Sequence, residues 1–313
     1  MRIGMVGLGR MGANMTTRLL RGGHEVVVYD RDPAAVAKSA EGGAVASDAL
    51  EAFVAQLGAP GQRQAWVMVP AGAPTEETIT TLLGLMQAGD AIIDGGNSNY
   101  QDSIRRAATC AEKGVHFLDA GTSGGVWGLA EGYALMVGGP DDAVARIEPI
   151  FKTLAPAPDR GYAHVGPAGA GHFTKMVHNG IEYGLMQAYA EGFAILKAKP
   201  SFGEHAFTLD LAKIAELWRH GSVVRSWLLD LTARALAEDP ALGDIAPYVS
   251  DSGEGRWTVA EALALDVPAP VITHSLIARL RSRDTYGYGD RLLAAMRNQF
   301  GGHAVKRVSK VDP

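Results

Sequence analysis

The chain of 313 residues is 47% hydrophobic and 20% charged, which is enough to bury a core in about two domains. Its net charge of −5 argues against general nucleic-acid binding, and no apolar run approaches the ~20 residues of a membrane-spanning helix. A single cysteine, Cys110, excludes an internal disulfide, and the first residues already resemble a strand rather than a leader, so we expect a cytoplasmic protein.

The first half of the chain alternates short apolar runs with helical stretches. This alternation is typical of βαβ units on a parallel sheet, and the nearly continuous apolar character of the runs fits strands that are buried on both faces. We predict strands at 2–6, 25–30, 65–69, 91–94, 115–119 and 133–137, with helices near 11–21, 33–41, 75–87, 100–113 and 141–154.

After Pro167 the patterns are helical, near 170–198, 208–219, 222–238, 257–265, 270–282 and 288–299. The stretch 155–169, dense in Pro and Gly, is predicted to be the connection. The fold class is therefore α/β: a Rossmann-type doubly wound parallel sheet in residues 1–165, followed by an all-α domain in residues 166–313. Residues 273–313 carry eight Lys and Arg against three Asp, which indicates a solvated helical surface or a lining for an anionic ligand.

A glycine fingerprint directly follows the first predicted strand and consists of Gly7, Leu8, Gly9, Arg10, Met11 and Gly12. At the start of a helix this spacing is typical of dinucleotide binding, because the first two glycines let the backbone turn and approach a pyrophosphate. The third lets the helix pack on the strand. Asp30 ends the second strand 23 residues after Gly7, where an acid binds the hydroxyls of a ribose.

Asp30 favours NAD over NADP, because its carboxylate accepts a hydrogen bond from a ribose 2′-hydroxyl and repels a 2′-phosphate. The neighbouring Arg31 could pair with a 2′-phosphate, so NADP stays open as the less favoured cofactor. Val69, Pro70 and Ala71 follow the next strand, and we expect them to cover a ribose of the cofactor.

Two further loops follow predicted strands at the carboxyl edge of the sheet, where open α/β sheets bind ligands. Their sequences are GGNSN at 95–99 and DAGTSGG at 119–125. Both expose amide and hydroxyl groups that suit a carboxylate and hydroxyls, although either loop alone can also be a structural turn.

The predicted helix 170–198 carries a polar stripe. Lys175, His178, Asn179 and Glu182 are spaced so that all four share one face, while the residues around them are apolar. A single Lys, Glu or His is usually solvated or structural, but four on one face of a largely apolar helix predict a site.

Together these motifs resemble the 6-phosphogluconate dehydrogenase family, within the β-hydroxyacid dehydrogenases. The resemblance spans nearly the whole chain and includes GAGHFTKMVHNGIEYG at 169–184, GEGRWT at 253–258, Ala278-Arg279 and RNQFGGH at 297–303. It implies oxidation and decarboxylation of 6-phosphogluconate to ribulose 5-phosphate and carbon dioxide, with a nicotinamide cofactor and no metal.

By this resemblance, Lys175 removes the proton of the C3 hydroxyl and later polarises the ketone, and Glu182 protonates C1 of the enediol, with Asn179 placed beside them. An amine in a partly desolvated site can act as base and then as acid. The substrate-binding residues implied are Asn97, Ser123, Gly124, Gly125, His178, Tyr183, Arg279, Arg297 and His303, of which the last four surround the phosphate. Asn97 is also placed beside the cofactor.

The chain is about two-thirds as long as the long members of the family, and the missing part falls in the helical domain. In the long enzymes the C-terminal tail reaches the site of the neighbouring subunit. The resemblance therefore implies a homodimer or homotetramer in which Arg297 and His303 complete a neighbouring site. Ser252 departs from the family, since many relatives carry a phosphate-contacting lysine there.

Two alternatives stay open at this point. The first is a related β-hydroxyacid dehydrogenase that only oxidises a small unphosphorylated acid; it would share the glycine fingerprint and Lys175, but it would not need Arg279 and Arg297 for a phosphate. The second is a cofactor-binding regulator without turnover, which would not need Lys175 and Glu182.

Overall fold

The structure is a computed structural model that describes residues 1–199 and 206–307. In these ranges the strands are β1 (Arg2–Val6), β2 (Glu25–Tyr29), β3 (Val45–Ala46), β4 (Gln64–Val67), β5 (Ala91–Asp94), β6 (His116–Ser123), β7 (Ala134–Gly138) and β8 (Tyr162–Gly166). Residues 308–313 of the predicted basic C-terminal segment lie outside the described residues.

The α-helices of the first half are α1 (Arg10–Arg21), α2 (Pro33–Glu41), α3 (Leu50–Gln56), α4 (Ala73–Leu85), α5 (Tyr100–Ala111), α6 (Gly128–Glu131) and α7 (Asp141–Leu154). Those of the second half are α8 (Ala170–Ala198), α9 (Leu211–Trp218), α10 (Trp227–Glu238), α11 (Glu254–Ala264), α12 (Pro270–Ser282) and α13 (Tyr288–Gly301). A short 3₁₀ helix covers Gly125–Trp127.

The strands form one sheet in the order β3-β2-β1-β4-β5-β6-β7-β8. The order reverses between β1 and β4, and open α/β sheets bind their ligands in the crevice outside such a switch point. The predicted fold class, an α/β sheet followed by helices, is confirmed. One strand differs from the predicted parallel arrangement: β7, predicted at 133–137, runs antiparallel to β6.

The direction of β7 follows from its short connection. Only residues 124–133 separate β6 from β7, whereas a parallel neighbour needs a crossover of about a dozen residues or more. The helix α7 provides such a crossover between β7 and β8, and these two strands are parallel.

Some elements were missed by the sequence patterns. The stretch 155–169, predicted to be a connection, contains the edge strand β8, whose residues alternate between half-buried and exposed. Strand β3 has two residues, and α3 and α6 are also short. Short elements bury little apolar surface, so they leave a weak periodic signal in the sequence.

Alternate residues of the central strands enter two different core clusters. Ile3, Met5 and Ile93 belong to one cluster, whereas Val67 and Ile92 belong to the other, which also contains Cys110. Both faces of the sheet are therefore buried, as the apolar runs predicted. Burial raises the pKa of the Cys110 thiol to about 11, so this residue behaves as a small core side chain.

The Cα positions divide the chain into two compact units. The first consists of residues 1–181 and 254–261, and the second of residues 182–253 and 262–313. The regular elements among the described residues of the second unit are helices, with a small core around Phe193 and Leu229. No helix in the described ranges has the length and apolar character to cross a membrane. The predicted boundary between residues 165 and 166 stays a prediction.

Candidate active site

The glycine fingerprint between β1 and α1 has the geometry of a dinucleotide loop. Gly7 has a φ of +95°, and a side chain there would collide with the carbonyl of Met68, while a side chain at Gly12 would collide with the carbonyl of Gly7. A Cβ at Gly9 would meet nothing within 4 Å, which leaves room for a ligand against the backbone. No side chain caps α1, so its first N–H groups can bind a pyrophosphate.

Asp30 closes this loop from the end of β2. Its Oδ2 accepts a hydrogen bond from the Leu8 N–H at 2.5 Å, and its Oδ1 accepts from the Asp32 N–H at 2.8 Å. The carboxylate is thereby fixed beside the fingerprint, where its remaining lone pairs can accept from ribose hydroxyls. Pro70 and Ala71 lie exposed after β4, at the same edge of the sheet. These residues fit the nicotinamide dinucleotide that the sequence predicted.

The loop 95–99 is held by a buried ion pair that the sequence did not reveal. Asp94 Oδ2 accepts from Arg106 Nη1 at 3.1 Å and from Ser98 Oγ at 2.7 Å, and both charged side chains are buried. Asp94 Oδ1 also accepts from the Gly96 N–H. These contacts with Asp94 fix the loop, and Asn97 is exposed at its tip, where it can reach a ligand.

The start of α8 is capped by a carboxylate from the sheet. Asp119, fully buried in β6, accepts from the Gly169 N–H at 2.6 Å through Oδ1 and from the His172 N–H at 2.7 Å through Oδ2. Gly169 immediately precedes α8 and His172 lies in its first turn, where the N–H groups have no intrahelical acceptors. The sequence placed Asp119 in a ligand loop, but it did not reveal this structural role.

Glycines let α8 lie directly on the sheet. A side chain at Gly121 of β6 would collide with the Cβ of Lys175, and one at Gly171 would meet the carbonyls of Asp119 and Met136. The close approach fixes where Lys175 emerges relative to β6. The position of the predicted base is therefore set by backbone packing.

Three of the four residues of the polar stripe meet within the first unit. Lys175 is 8% exposed, and its Nζ donates to Asn179 Oδ1 at 2.8 Å. The Nδ1 atom of His178 lies 3.1 Å from the same oxygen and 3.4 Å from Lys175 Nζ. If Nδ1 carries the proton, it donates to Asn179 and leaves Nε2 as an acceptor. Glu182 is half-buried, two helical turns beyond Lys175 on the continuous α8.

His172 is a further buried residue that the sequence did not single out. Its Nδ1 lies 2.7 Å from the hydroxyl of Ser103, which donates in turn to the carbonyl of Asn99. His172 therefore connects α8 to the end of the loop 95–99. The only sequence signal was its position, three residues before Lys175.

The loop after β6 presents the predicted residues Ser123, Gly124 and Gly125. Gly124 has a φ of +139° and Gly125 a φ of +51°, conformations that side chains disfavour. Ser123 ends β6 and is half-buried. The loop therefore exposes backbone groups at the end of β6, the strand that also carries Asp119.

The predicted phosphate residues lie in the second unit. The guanidinium of Arg279 stacks on the ring of Tyr183 at 3.5 Å from its centroid, and Arg279 Nη1 donates to the Ser250 carbonyl at 2.8 Å. Arg297 is exposed near the end of α13, and the backbone carbonyl of His303 accepts from Asn298. The structure thus brings Tyr183 together with Arg279.

No group of three or more His, Cys, Asp or Glu side chains is placed to hold a metal ion in residues 1–199 and 206–307.

Beside the loop 95–99, Glu76 binds Arg105 and Arg106. The hydrogen bond from Arg105 is the largest influence and lowers the pKa of Glu76 to about 2. Glu76 thus stays ionised and helps to hold Arg106 in place.

The cap of α8 predicts the effect of Asp119→Asn. An amide can accept only one of the two N–H groups and turns an NH₂ group toward the other, so we expect a loss of about 2–4 kcal/mol in the free energy of unfolding. Urea denaturation measures it. The control Asp159→Asn changes an exposed carboxylate that binds the adjacent Arg160 and should cost below about 0.5 kcal/mol. Equal stability of the two variants would show that the cap contributes nothing.

Family comparisons agree with this geometry. Residues 2–166 match the family model of the NAD binding domain of 6-phosphogluconate dehydrogenase, and residues 171–287 match that of its C-terminal domain. The NAD(+)-dependent, decarboxylating 6-phosphogluconate dehydrogenase of Haloferax volcanii is 43% identical over 308 residues, covering 98% of this chain and 99% of that one.

Two solved structures are similar. The 6-phosphogluconate dehydrogenase of Plasmodium falciparum has a TM-score of 0.80 at 29% identity, covering all of this chain and 67% of that one. The 3-hydroxyisobutyrate dehydrogenase of Mycobacterium tuberculosis has a TM-score of 0.68 at 25% identity, covering 88% of this chain and 90% of that one. Since both family models match in order and the Haloferax relative aligns over nearly its full length, the chain belongs to the 6-phosphogluconate dehydrogenase family.

Proposed function

We propose that the protein oxidises and decarboxylates 6-phospho-D-gluconate to D-ribulose 5-phosphate and carbon dioxide, with NAD as the preferred electron acceptor. The observation that carries this proposal is the buried amine of Lys175, on a helix that packs on β6 of a dinucleotide-binding sheet. The similarity to the NAD(+)-dependent, decarboxylating 6-phosphogluconate dehydrogenase of Haloferax volcanii supports the same substrate chemistry and the same cofactor.

The cofactor is assigned to the fingerprint from Gly7 to Gly12, to Asp30 and to the exposed residues after β4. When bound, the nicotinamide accepts the hydride that leaves C3 of the substrate. The backbone N–H groups at the start of α1 hold the pyrophosphate, and Asp30 accepts from the ribose. Asn97, exposed at the tip of its loop, is assigned to both substrate and cofactor.

Lys175 is assigned as the base that takes the proton from the C3 hydroxyl. The side chain already lies within hydrogen-bond reach of Asn179, which orients the amine. The resulting β-keto acid loses carbon dioxide once its ketone is polarised, and the protonated Lys175 supplies that polarisation. Glu182, seven positions further along α8, then delivers a proton to C1 of the enediol.

The remaining residues are assigned to substrate binding. His178 and the loop Ser123, Gly124 and Gly125 hold the carboxylate and hydroxyls. Arg279 and Tyr183, with Arg297 and His303, hold the phosphate. The stacking of Arg279 on Tyr183 restricts the guanidinium, so less conformational entropy is lost when it binds a phosphate.

We also propose that the protein is a homodimer or homotetramer in which the tail bearing Arg297 and His303 completes a neighbouring site. Two observations support this. The chain spans 67% of the length of the Plasmodium falciparum structure, and a partner subunit could take the place of the missing helical part. The second unit exposes large apolar side chains, including Ile195, Leu217 and Val271, and holds an apolar cavity of about 560 Å³ between α8, α9 and α10. A cytoplasmic location stays part of this proposal.

One assay tests the function. Purified protein is incubated with 6-phosphogluconate and either NAD or NADP while reduced cofactor and carbon dioxide are both measured. We expect one carbon dioxide per reduced cofactor and a higher kcat/KM with NAD. Reduction without carbon dioxide would indicate an enzyme that only oxidises hydroxy acids. Cofactor binding without turnover would indicate a regulator.

The assignment of the base predicts that Lys175→Ala lowers kcat by about 10²-fold or more while NAD affinity changes little. Turnover and NAD binding are measured on the same preparation. The control Lys152→Ala removes a lysine of α7 that pairs with Glu148, and it should leave both quantities unchanged. A Lys175→Ala enzyme with near-normal turnover would remove Lys175 from the mechanism.

The phosphate assignment predicts that Arg297→Ala raises KM for 6-phosphogluconate far more than KM for gluconate, which lacks the phosphate. Equal effects on both substrates would identify a structural arginine.

Mixing Arg297→Ala with Lys175→Ala subunits tests whether the tail acts in trans. In a dimer, random exchange should restore about one quarter of the native sites at low substrate concentration, and no recovery would place Arg297 in its own subunit's site.

A further inference from the structure

The residue that follows Asp30 forms an ion pair across the mouth of the nucleotide crevice. Arg31 extends from the end of β2, and its Nη2 lies 3.4 Å from Oε2 of Glu77 on α4. Helix α4 follows β4, on the other side of β1 in the sheet, so the pair spans the switch point of the strand order. Both side chains are largely exposed, at 76% and 66%.

Glu77 has a different role from its neighbour Glu76. Both oxygens of Glu76 accept from Arg105, and one also accepts from Arg106, so Glu76 helps to fix α5 and the loop 95–99. Glu77 instead extends to Arg31, in the region where a bound adenosine ribose would lie. Its carboxylate therefore acts on the cation that directly follows Asp30 in the chain, and a guanidinium there could attract a 2′-phosphate.

Three carboxylates near this position disfavour a phosphate. Asp30 is held beside Leu8, and Asp32 caps α2 by accepting from the Ala34 N–H at 3.0 Å. Together with Glu77 these residues supply three carboxylates. Arg31 pairs with one of them, and Arg10 and Lys38 line the cavity that also contains Asp32. A 2′-phosphate would add about two more negative charges, and Glu77 already holds the guanidinium that could offset them.

We infer that Glu77 is a specificity-determining residue, which keeps the nucleotide site selective for a 2′-hydroxyl by holding Arg31 in an ion pair. Asp30 supplies the acceptor for the hydroxyl, and Glu77 pairs with a guanidinium that could otherwise bind a 2′-phosphate. The preference for NAD therefore depends on α4 as well as on the end of β2. The inference rests on the nucleotide site of the proposed function.

The test uses the full-length protein and two nucleotide fragments, 5′-AMP and 2′,5′-ADP, with affinities measured by calorimetry. We expect Glu77→Gln to lower Kd for 2′,5′-ADP about three- to fivefold, the range for an exposed ion pair, and to change Kd for 5′-AMP less than about twofold. The discrimination of the unmodified protein should also shrink as salt is added, because exposed charges are screened. The ratio of kcat/KM for NADP to that for NAD should rise in parallel with the fragment affinities.

Two controls separate this role from a general charge effect. Glu112 follows the last residue of α5, at the edge of the sheet where the strands begin and opposite to the edge of the nucleotide site. Glu112→Gln removes the same charge as Glu77→Gln and should change neither affinity. The double variant Arg31→Gln with Glu77→Gln should lose the gain. A gain that persists in the double variant, or that Glu112→Gln reproduces, would overturn the inference.

The binding measurements also distinguish the inference from the proposed function. If the unmodified protein binds 5′-AMP but Glu77→Gln leaves the two affinities in their original ratio, the role of Glu77 fails and the enzyme assignment is untouched. If the unmodified protein binds neither fragment, the nucleotide site itself fails, and the inference is overturned with it.

Discussion

The candidate site depends first on one buried carboxylate. Asp119 lies in the sheet and accepts from the N–H groups of Gly169 and His172 at the start of α8, so a buried negative charge meets the positive end of the helix dipole. Removing this acceptor would leave two buried donors unsatisfied. The interaction therefore fixes both the start and the direction of the helix that carries Lys175.

Close packing at two glycines determines where the amine of Lys175 lies relative to β6. Because Gly121 and Gly171 have no side chains, α8 approaches the backbone of β6 directly, and Lys175 emerges beside the end of the strand. On the neighbouring strand, the ion pair of Asp94 with Arg106 holds the loop of Asn97. Buried polar contacts thus fix two parts of one edge of the sheet, which suits a site that must hold its groups closely.

Much of this edge could be predicted from local patterns. Short segments of the sequence reveal three features of the site. These are the spacing of Gly7, Gly9 and Gly12, the acid at the end of β2, and the four polar positions along α8. They depend on the geometry of a strand end, a tight turn or a helix face, which short segments encode. The family resemblance added the roles of these residues.

The sequence alone determined the fold class, the dinucleotide loop and the polar face of α8, because periodic burial and turn geometry are local. Only the tertiary structure decided the edge strand β8 and the partners of Asp119 and Arg106. Asp119 and His172 are 53 residues apart, and no spacing rule connects a strand to a helix at that distance. Such contacts arise when whole elements pack, and packing is a property of the assembled chain.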